Sequence, residues 1–368
     1  MELKHELCRL CELYGFPNDN IEYKKLCGGH INRTYFVKAG SKEYIFQNVN
    51  TYVFRDPYAV MENIRTVDDY LASNADNSRC GCPIKQYLSN RHGENYTILE
   101  NGSFWRISPY VAASMSLSDE DGNVKPGVLY GAGFAFGDFI RQLSGMDPAR
   151  LKITIPDFHN TKKRLSDLFE KAEEDPCGLA KTVKAELEFF YEYRERAEYL
   201  GKLWDSGELP TRVVHNDTKY NNILMDTDSD KPLCVIDLDT IMPGLCAHDF
   251  GDAVRFAANT AVEDETDLSK VSLDLDRCSH FTSGFVKAAS DFMTAKERET
   301  LALGAPTITT ELASRFLCDY LDGDKYFSIC RPGHNLDRAR CQIALAKDMF
   351  AKLDDMQCEI VRAVGASQ

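Results

Sequence analysis

The sequence predicts an α+β fold of two unequal lobes: a small antiparallel sheet carrying one helix, then a larger, mainly helical lobe. Three observations lead there. The first hundred residues break into short β-like runs separated by turns. From about Tyr110 onward the apolar spacing is almost wholly helical. The chain's 368 residues, 43% of them hydrophobic, are also more than one small core organises. Residues 1–110 are therefore read as an N-terminal lobe and 111–368 as a C-terminal lobe, with the crossing near Ser108–Ala113.

Taken in order, Leu3–Tyr14 reads as a helix in which Lys4, Glu6, Arg9 and Glu12 alternate with apolar residues, and Gly15 stops it. Ile21–Leu26, Thr34–Lys38, Glu43–Asn48, Tyr96–Leu99 and Phe104–Ser108 read as strands. Gly40-Ser41 and Asn101-Gly102 sit as hairpin turns between paired runs. Pro57–Ser73 is a helix with Val60, Ile64, Val67 and Leu71 on one face. Helices follow near Leu129–Leu143, Thr161–Lys171, Leu179–Trp204, Asp249–Asn259, Leu273–Ala289, Ala295–Leu303, Thr309–Leu321 and Leu336–Val364. The last carries a stripe of Leu336, Ala339, Ile343, Ala346, Phe350, Leu353, Met356 and Ile360, read as a core-facing seam. Among these helices, Asn222–Met225 and Leu233–Leu238 form a β-hairpin around a turn at Asp228–Lys231.

Composition narrows the function. With 43 Lys and Arg against 57 Asp and Glu, the formal charge is −14, which repels phosphate backbones and anionic lipid. Nucleic acid and membrane are thus not expected as partners, and the sequence carries no signal of oligomeric state. The two longest charge-free stretches, Ile107–Ser118 and Pro126–Gly137, are too short to span a bilayer. The N-terminus has no apolar core of a signal peptide, and thirteen cysteines without a zinc-ligand pattern read as free, mostly buried thiols. A soluble, cytoplasmic protein is the expectation.

The segment that carries chemistry is Val213-Val214-His215-Asn216-Asp217-Thr218-Lys219-Tyr220-Asn221-Asn222-Ile223-Leu224, followed by Cys234-Val235-Ile236-Asp237-Leu238-Asp239. A polar loop follows a buried strand, and a hairpin then brings Asn222 and Asp237 together. A carboxylate and an amide oxygen converging near a second carboxylate suit Mg²⁺, a hard cation that shares oxygen ligands with phosphate and water. Asp217 is placed to accept the proton of an attacking hydroxyl, and Asn222 and Asp237 to hold metal against the phosphates of ATP. His-x-Asp-x-x-x-x-Asn with a strand-terminal Asp is the arrangement of a protein-kinase-like two-lobe fold. His215 is read as a brace for the loop, and Asp249 and Asp252 as helix-capping residues or braces for the same loop. A metal-site role for Asp239 is left open. The glycines of Gly131-Ala132-Gly133-Phe134-Ala135-Phe136-Gly137 are rejected as a dinucleotide fingerprint, because the third comes one position late and the run does not follow a strand.

Toward the N-terminus, Gly28-Gly29-His30-Ile31-Asn32 lies between two β-runs, where Gly28 and Gly29 let the backbone approach a phosphate and Asn32 is a further cofactor-binding candidate. The third strand, Tyr44-Ile45-Phe46-Gln47-Asn48, places Gln47 where such a lobe normally carries a phosphate-binding lysine. Phosphate neutralisation then rests more on metal, or on a base from elsewhere such as Arg33, Arg55 or Arg65, and the sequence does not choose among these.

With these residues the chain resembles the aminoglycoside phosphotransferase and choline kinase superfamily over nearly its whole length, and more closely the N-acetylhexosamine 1-kinases. The matching segments are Gly29-His30-Ile31-Asn32, His215 to Lys219, Ile236 to Gly244, Arg315 to Phe327, and Arg331-Pro332-x-His334-Asn335. Gln47 in place of lysine is itself a trait of those kinases. The resemblance implies ATP-dependent phosphorylation of the anomeric hydroxyl of N-acetylglucosamine or N-acetylgalactosamine. Asp217 would be the base touching that hydroxyl, and His30, Arg315 and Tyr326 would contact the sugar. The basic, polar region around Arg315 and Arg331–Arg340 shows neither an aromatic cage for choline nor clustered carboxylates for a polycation. Two other readings stay open: a kinase of this fold acting on another small alcohol, and a nucleotide-binding pseudokinase.

Overall fold

The computed structural model describes residues 2–26, 32–74, 86–112, 114–116 and 124–367. The N-terminal sheet is built from β1 (Glu22–Lys25), β2 (Arg33–Ala39), β3 (Lys42–Asn48), β4 (Thr97–Ile98) and β5 (Phe104–Pro109), ordered β1-β2-β3-β5-β4 with every pair antiparallel. Gly40, at φ +63°, makes the two-residue β2–β3 turn that a side chain would strain. Alternation in these strands sets the two faces of the sheet. Tyr35, Val37, Tyr44, Phe46, Trp105 and Ile107 pack on α1 (Glu2–Tyr14) through Leu7, Leu10 and Tyr14. The opposite face, with Thr34, Phe36, Ile45 and Gln47 half-buried, turns toward the rest of the chain. Helix α2 (Pro57–Ser73) starts with Asp56 accepting from the Ala59 amide and Pro57 in the first turn. Its Asn63 Nδ2 reaches across to the carbonyls of Lys152 (2.8 Å) and Ile241 (3.1 Å).

Beyond Pro109 the chain joins a second sheet, β6 (Ser114–Ser116) with β8 (Ile223–Asp226) and β9 (Pro232–Val235), and a two-stranded pair, β7 (Arg212–Val214) with β10 (Met242–Gly244). Helices surround them: α3 (Pro126–Leu143), α4 (Thr161–Glu174), α5 (Lys184–Ala197), α6 (Tyr199–Asp205), α7 (Cys246–Ala257), α8 (Leu275–Ala289), α9 (Ala295–Thr300), α10 (Gly304–Leu321), α11 (His334–Ala351) and α12 (Leu353–Ser367). The glycine run rejected as a nucleotide fingerprint is a packing seam. A Cβ on Gly133 would lie 2.1 Å from the Phe281 carbonyl of α8, and one on Gly284 would lie 2.0 Å from the Tyr130 carbonyl of α3. Among the described residues, no helix is long and apolar enough to cross a membrane, and no two cysteines form a disulfide.

Three expectations change. The helix predicted over Leu179–Trp204 is a 3-10 turn (Ala180–Thr182) followed by α5 and α6, because the chain passes between two cores at Glu198. Phe189, Phe190 and Ala197 enter one core, and Leu200 and Leu203 the other. The helix predicted over Leu336–Val364 breaks at Lys352: α11 packs Ala339, Ile343 and Ala346 in one core and Leu345 and Met349 in the other, while Met356 and Ile360 beyond the break join only the second. The third is α7, which opens at Cys246, so Asp249 and Asp252 lie inside the helix and do not cap it.

Candidate active site

The loop after β7 is held from below. Asp249, now inside α7, accepts the His215 amide on one carboxylate oxygen and the Asn216 amide on the other, both at 2.7 Å. Thr218 donates its hydroxyl to the Asp249 carbonyl. Asn216 Nδ2 donates to the Thr240 carbonyl at 3.0 Å, and Thr240 Oγ1 donates to the His215 carbonyl at 2.8 Å. His215 Nδ1 accepts the Asp217 amide (3.2 Å), so the ring proton sits on Nε2 and is donated to the Ile236 carbonyl (2.9 Å). His215 thus ties the loop to the residue preceding Asp237. Asn216 and Asp237 both sit at φ +64°, a conformation that costs a non-glycine residue and persists here because so many bonds fix it.

Asp217 emerges from this frame beside Asn222 and Lys219. Asn222 Nδ2 donates to its carbonyl (2.8 Å) and carboxylate (3.2 Å), and Lys219 Nζ stands 3.5 Å from Oδ1. Burial pushes the Asp217 carboxyl up, but Lys219 and the Asn222 hydrogen bond outweigh it and hold the group below its ordinary value. It is a carboxylate at neutral pH. The β8–β9 hairpin pairs Ile223 with Val235, and the Ile236 amide donates to the Asn222 carbonyl at 2.9 Å. Asn222 and Asp237 are thereby drawn to one end of it. Burial, then Asp239 and Asp217, push Asp237 up to about 7. A buried carboxyl raised by neighbouring carboxylates is a group short of a cation, and that fits Mg²⁺. The Asn222 amide nitrogen is committed to Asp217, which leaves its oxygen as the ligand atom.

On the sheet side, Gln47 is not alone. Its Oε1 accepts from Arg106 Nε (3.0 Å) and Tyr87 OH (3.1 Å), and its Nε2 makes a long contact with Thr34 Oγ1 (3.4 Å). Arg106 lies directly across from it on β5, fully buried, with a fork-to-fork pair to Asp239 that includes Nη2–Oδ2 at 2.9 Å. Asp239 therefore turns away from Asp237 toward an arginine. Asn32 also holds it, donating Nδ2 to Oδ2 (3.0 Å) while its own Oδ1 accepts the Asn50 amide. The cation beside Gln47 is thus Arg106, not one of the three arginines expected: Arg33 and Arg55 are exposed, and Arg65 pairs with Glu94. Gly28, Gly29 and His30 lie outside the described residues.

The loop bearing Asp217 is also met, at the Asn216 carbonyl, by residues at the start of α4 that are held by α10. His159 Nδ1 meets Glu311 Oε1 at 2.9 Å and Nε2 meets the Asn216 carbonyl at 3.1 Å, while Thr161 donates to Glu311 Oε2. Both partners of the imidazole are acceptors, so both ring nitrogens carry protons. Burial opposes that charge, and Glu311 outweighs burial and raises the His159 pKa. One helical turn beyond Glu311, Arg315 lies between Phe158 (5.7 Å) and Phe327 (5.5 Å), with Arg164 and the Tyr326 hydroxyl beside it. Tyr326 is exposed. Its loop is fixed by Asp319, whose carboxylate accepts the amides of Lys325, Tyr326 and Phe327. Arg106, Lys219, His159 and Glu311 escaped the sequence reading. Lys219 alone had a local signal, two residues beyond Asp217.

Comparison with known proteins gives the family and the fold. Residues 22–272 match the phosphotransferase enzyme family (APH). A microcompartment-associated aminopropanol kinase shares 16% identity with a TM-score of 0.64, covering 95% of this chain and 98% of its own. A choline kinase from Cryptosporidium parvum Iowa II shares 12% with a TM-score of 0.59, covering 95% and 96%. A spectinomycin phosphotransferase in complex with ADP and spectinomycin shares 13% with a TM-score of 0.57, covering 94% and 98%. At these identities the likeness is one of fold.

Proposed function

This chain belongs to the phosphotransferase enzyme family, and on that premise we propose that it transfers the γ-phosphoryl group of ATP to the anomeric hydroxyl of N-acetylglucosamine or N-acetylgalactosamine. One observation carries the choice of acceptor. On the acceptor side of Asp217, Glu311 is neutralised by a charged His159, and Arg315 and Arg164 stand next to it. A protonated amine would meet like charge there, whereas a neutral ring rich in hydroxyls and an acetamide carbonyl finds hydrogen-bond donors. Aminopropanol and choline, named for two of the similar structures, are cations.

In this reading residues 1–110 hold nucleotide and 111–368 carry the catalytic and sugar sites. Phe36 and Ile45 of the sheet and Leu224 and Ile236 of the hairpin, all half-buried, would be the apolar side chains for the adenine. Asn222 and Asp237 would hold Mg²⁺, which supplies neutralisation of the developing phosphate charge. Lys219 and the Gln47 side-chain amide would meet the phosphates, with Asn32 and the sequence-predicted Gly28 and Gly29 as further phosphate contacts. Asp217 orients the 1-hydroxyl and takes its proton late, as suits a carboxylate of depressed pKa. An anomeric hydroxyl, acidified by the ring oxygen, asks least of so weak a base. Arg315, Tyr326 and His30 hold the remainder of the ring.

The test is ADP release with N-acetylglucosamine, N-acetylgalactosamine and their 1-deoxy analogues, with the product identified by NMR. Both sugars should give an acid-labile, non-reducing 1-phosphate, and the analogues should inhibit without releasing ADP. A reducing 6-phosphate, or turnover of a 1-deoxy sugar, would reject the assignment and favour another small alcohol as acceptor.

A further inference from the structure

The phosphate site has lost its usual cation from strand β3, where Gln47 stands. Cross-strand register puts Arg106 of β5 opposite it, so the charge has moved sideways by one strand. Arg106 does not point freely at a ligand. Its Nε is held by Gln47, its two terminal nitrogens by Asp239, and its guanidinium lies 4.5 Å from the centre of the Tyr87 ring. A buried ion pair of this kind gains little net stability over an apolar pair, so its value lies in the geometry it enforces. Here that geometry is specific. Asp239 belongs to the 3-10 turn Leu238–Thr240 that starts at Asp237. The same turn is tied to the catalytic loop through Thr240 and to α2 through the Ile241 carbonyl. Asn32, at the end of the glycine-rich segment, converges on the same carboxylate.

We propose that Arg106 is the positioning cation of the phosphate site, fixing the Asp237-bearing turn against the N-terminal sheet through Asp239 and so replacing the strand-β3 lysine. The proposal rests on the reading of Asp237 as a metal ligand. Its planar fork matches a carboxylate in a way that lysine's point charge does not, which accounts for an arginine reaching across to Asp239 while glutamine fills the lysine's place.

The experiment measures two things that need no acceptor: calorimetric binding of ADP with and without Mg²⁺, and amide hydrogen exchange at Leu238–Ile241 in the nucleotide-free chain. Arg106→Gln should weaken Mg²⁺-dependent ADP binding on the order of 10–100-fold, the usual cost of losing a group that orients a metal ligand. Metal-free ADP binding should change far less, and exchange at 238–241 should accelerate. The transposed double variant Gln47→Lys/Arg106→Gln returns a cation to the adjacent strand and should recover part of the loss. Unchanged exchange and unchanged Mg²⁺-dependent binding in a folded Arg106→Gln chain would overturn the proposal, as would a double variant no better than the single one. If Arg106→Gln does not fold, Asp239→Asn, which keeps an acceptor for the arginine, should show the same losses at smaller size, and wild-type behaviour there overturns it. If the wild-type chain binds no Mg²⁺–ADP, the kinase reading fails and the exchange measurement alone decides the proposal.

Discussion

His159 is a histidine whose two hydrogen bonds require a positive charge, placed under the backbone carbonyl of Asn216. Its raised pKa and the lowered pKa of Glu311 belong to one buried pair. The signs are opposite. The histidine's contribution to stability is complete below its ordinary value near 6.5 and fades as pH rises through its raised one. Glu311 contributes above its ordinary carboxylate value and loses that only in acid. We therefore expect Glu311→Gln to cost about 3–5 kcal/mol near pH 6, the usual penalty for stripping a buried charge of its partner. The gap to wild type should shrink as pH rises and His159 loses its proton. Melting temperatures of both proteins across pH measure this, and a gap that does not change with pH contradicts it. At this scale Asp217, Asn222 and Asp237 were readable because one loop and one hairpin fix their spacing. Arg106 and His159 were not, since each acts on a partner more than a hundred residues away and nothing in its flanks marks it.

Elements follow their apolar period where a single core receives them. Helix α2 has the predicted bounds, and the strands of the N-terminal sheet lie within two residues of theirs. Three-residue strands such as β7 and β10 show no alternation to read, and a helical stripe does not announce the point where it passes from one core to the next. The glycine seam between α3 and α8 is the opposite case: visible as a pattern, its meaning supplied only by the neighbour. Gly133→Ala should destabilise the fold by about 1–3 kcal/mol or more, because the added carbon meets backbone that cannot rotate away. Gly201→Ala, in α6 with nothing within 4 Å, should instead stabilise by roughly 0.5–1 kcal/mol through helix propensity. Urea unfolding of the two variants compares them directly, and equal midpoints would refute the packing argument.

Over the whole molecule the formal charge is −14, a field that draws cations and repels anions at long range. The proposed acceptor side runs against it, with Arg315, Arg164 and charged His159 gathered around Glu311. Bulk composition argued against polyanionic partners but was silent on this local inversion, which depends on α4 and α10 packing side by side. The long-range field is screened within about 10 Å at ordinary salt, so the local charges decide selectivity. Two like charges about 6 Å apart at an effective dielectric near 20 repel by about 3 kcal/mol, roughly a hundred-fold. N-acetylglucosamine should therefore exceed glucosamine in kcat/KM by on the order of a hundred-fold while the amine is protonated. That ratio should fall as pH rises through the amine's pKa, because the amino sugar then loses the charge that the arginines oppose. Measuring kcat/KM for both sugars across pH separates charge from shape. A ratio that does not move with pH would mean that the acetamide is selected by fit alone, and a preference for glucosamine at low pH would mean that the acceptor does not bind beside Arg315.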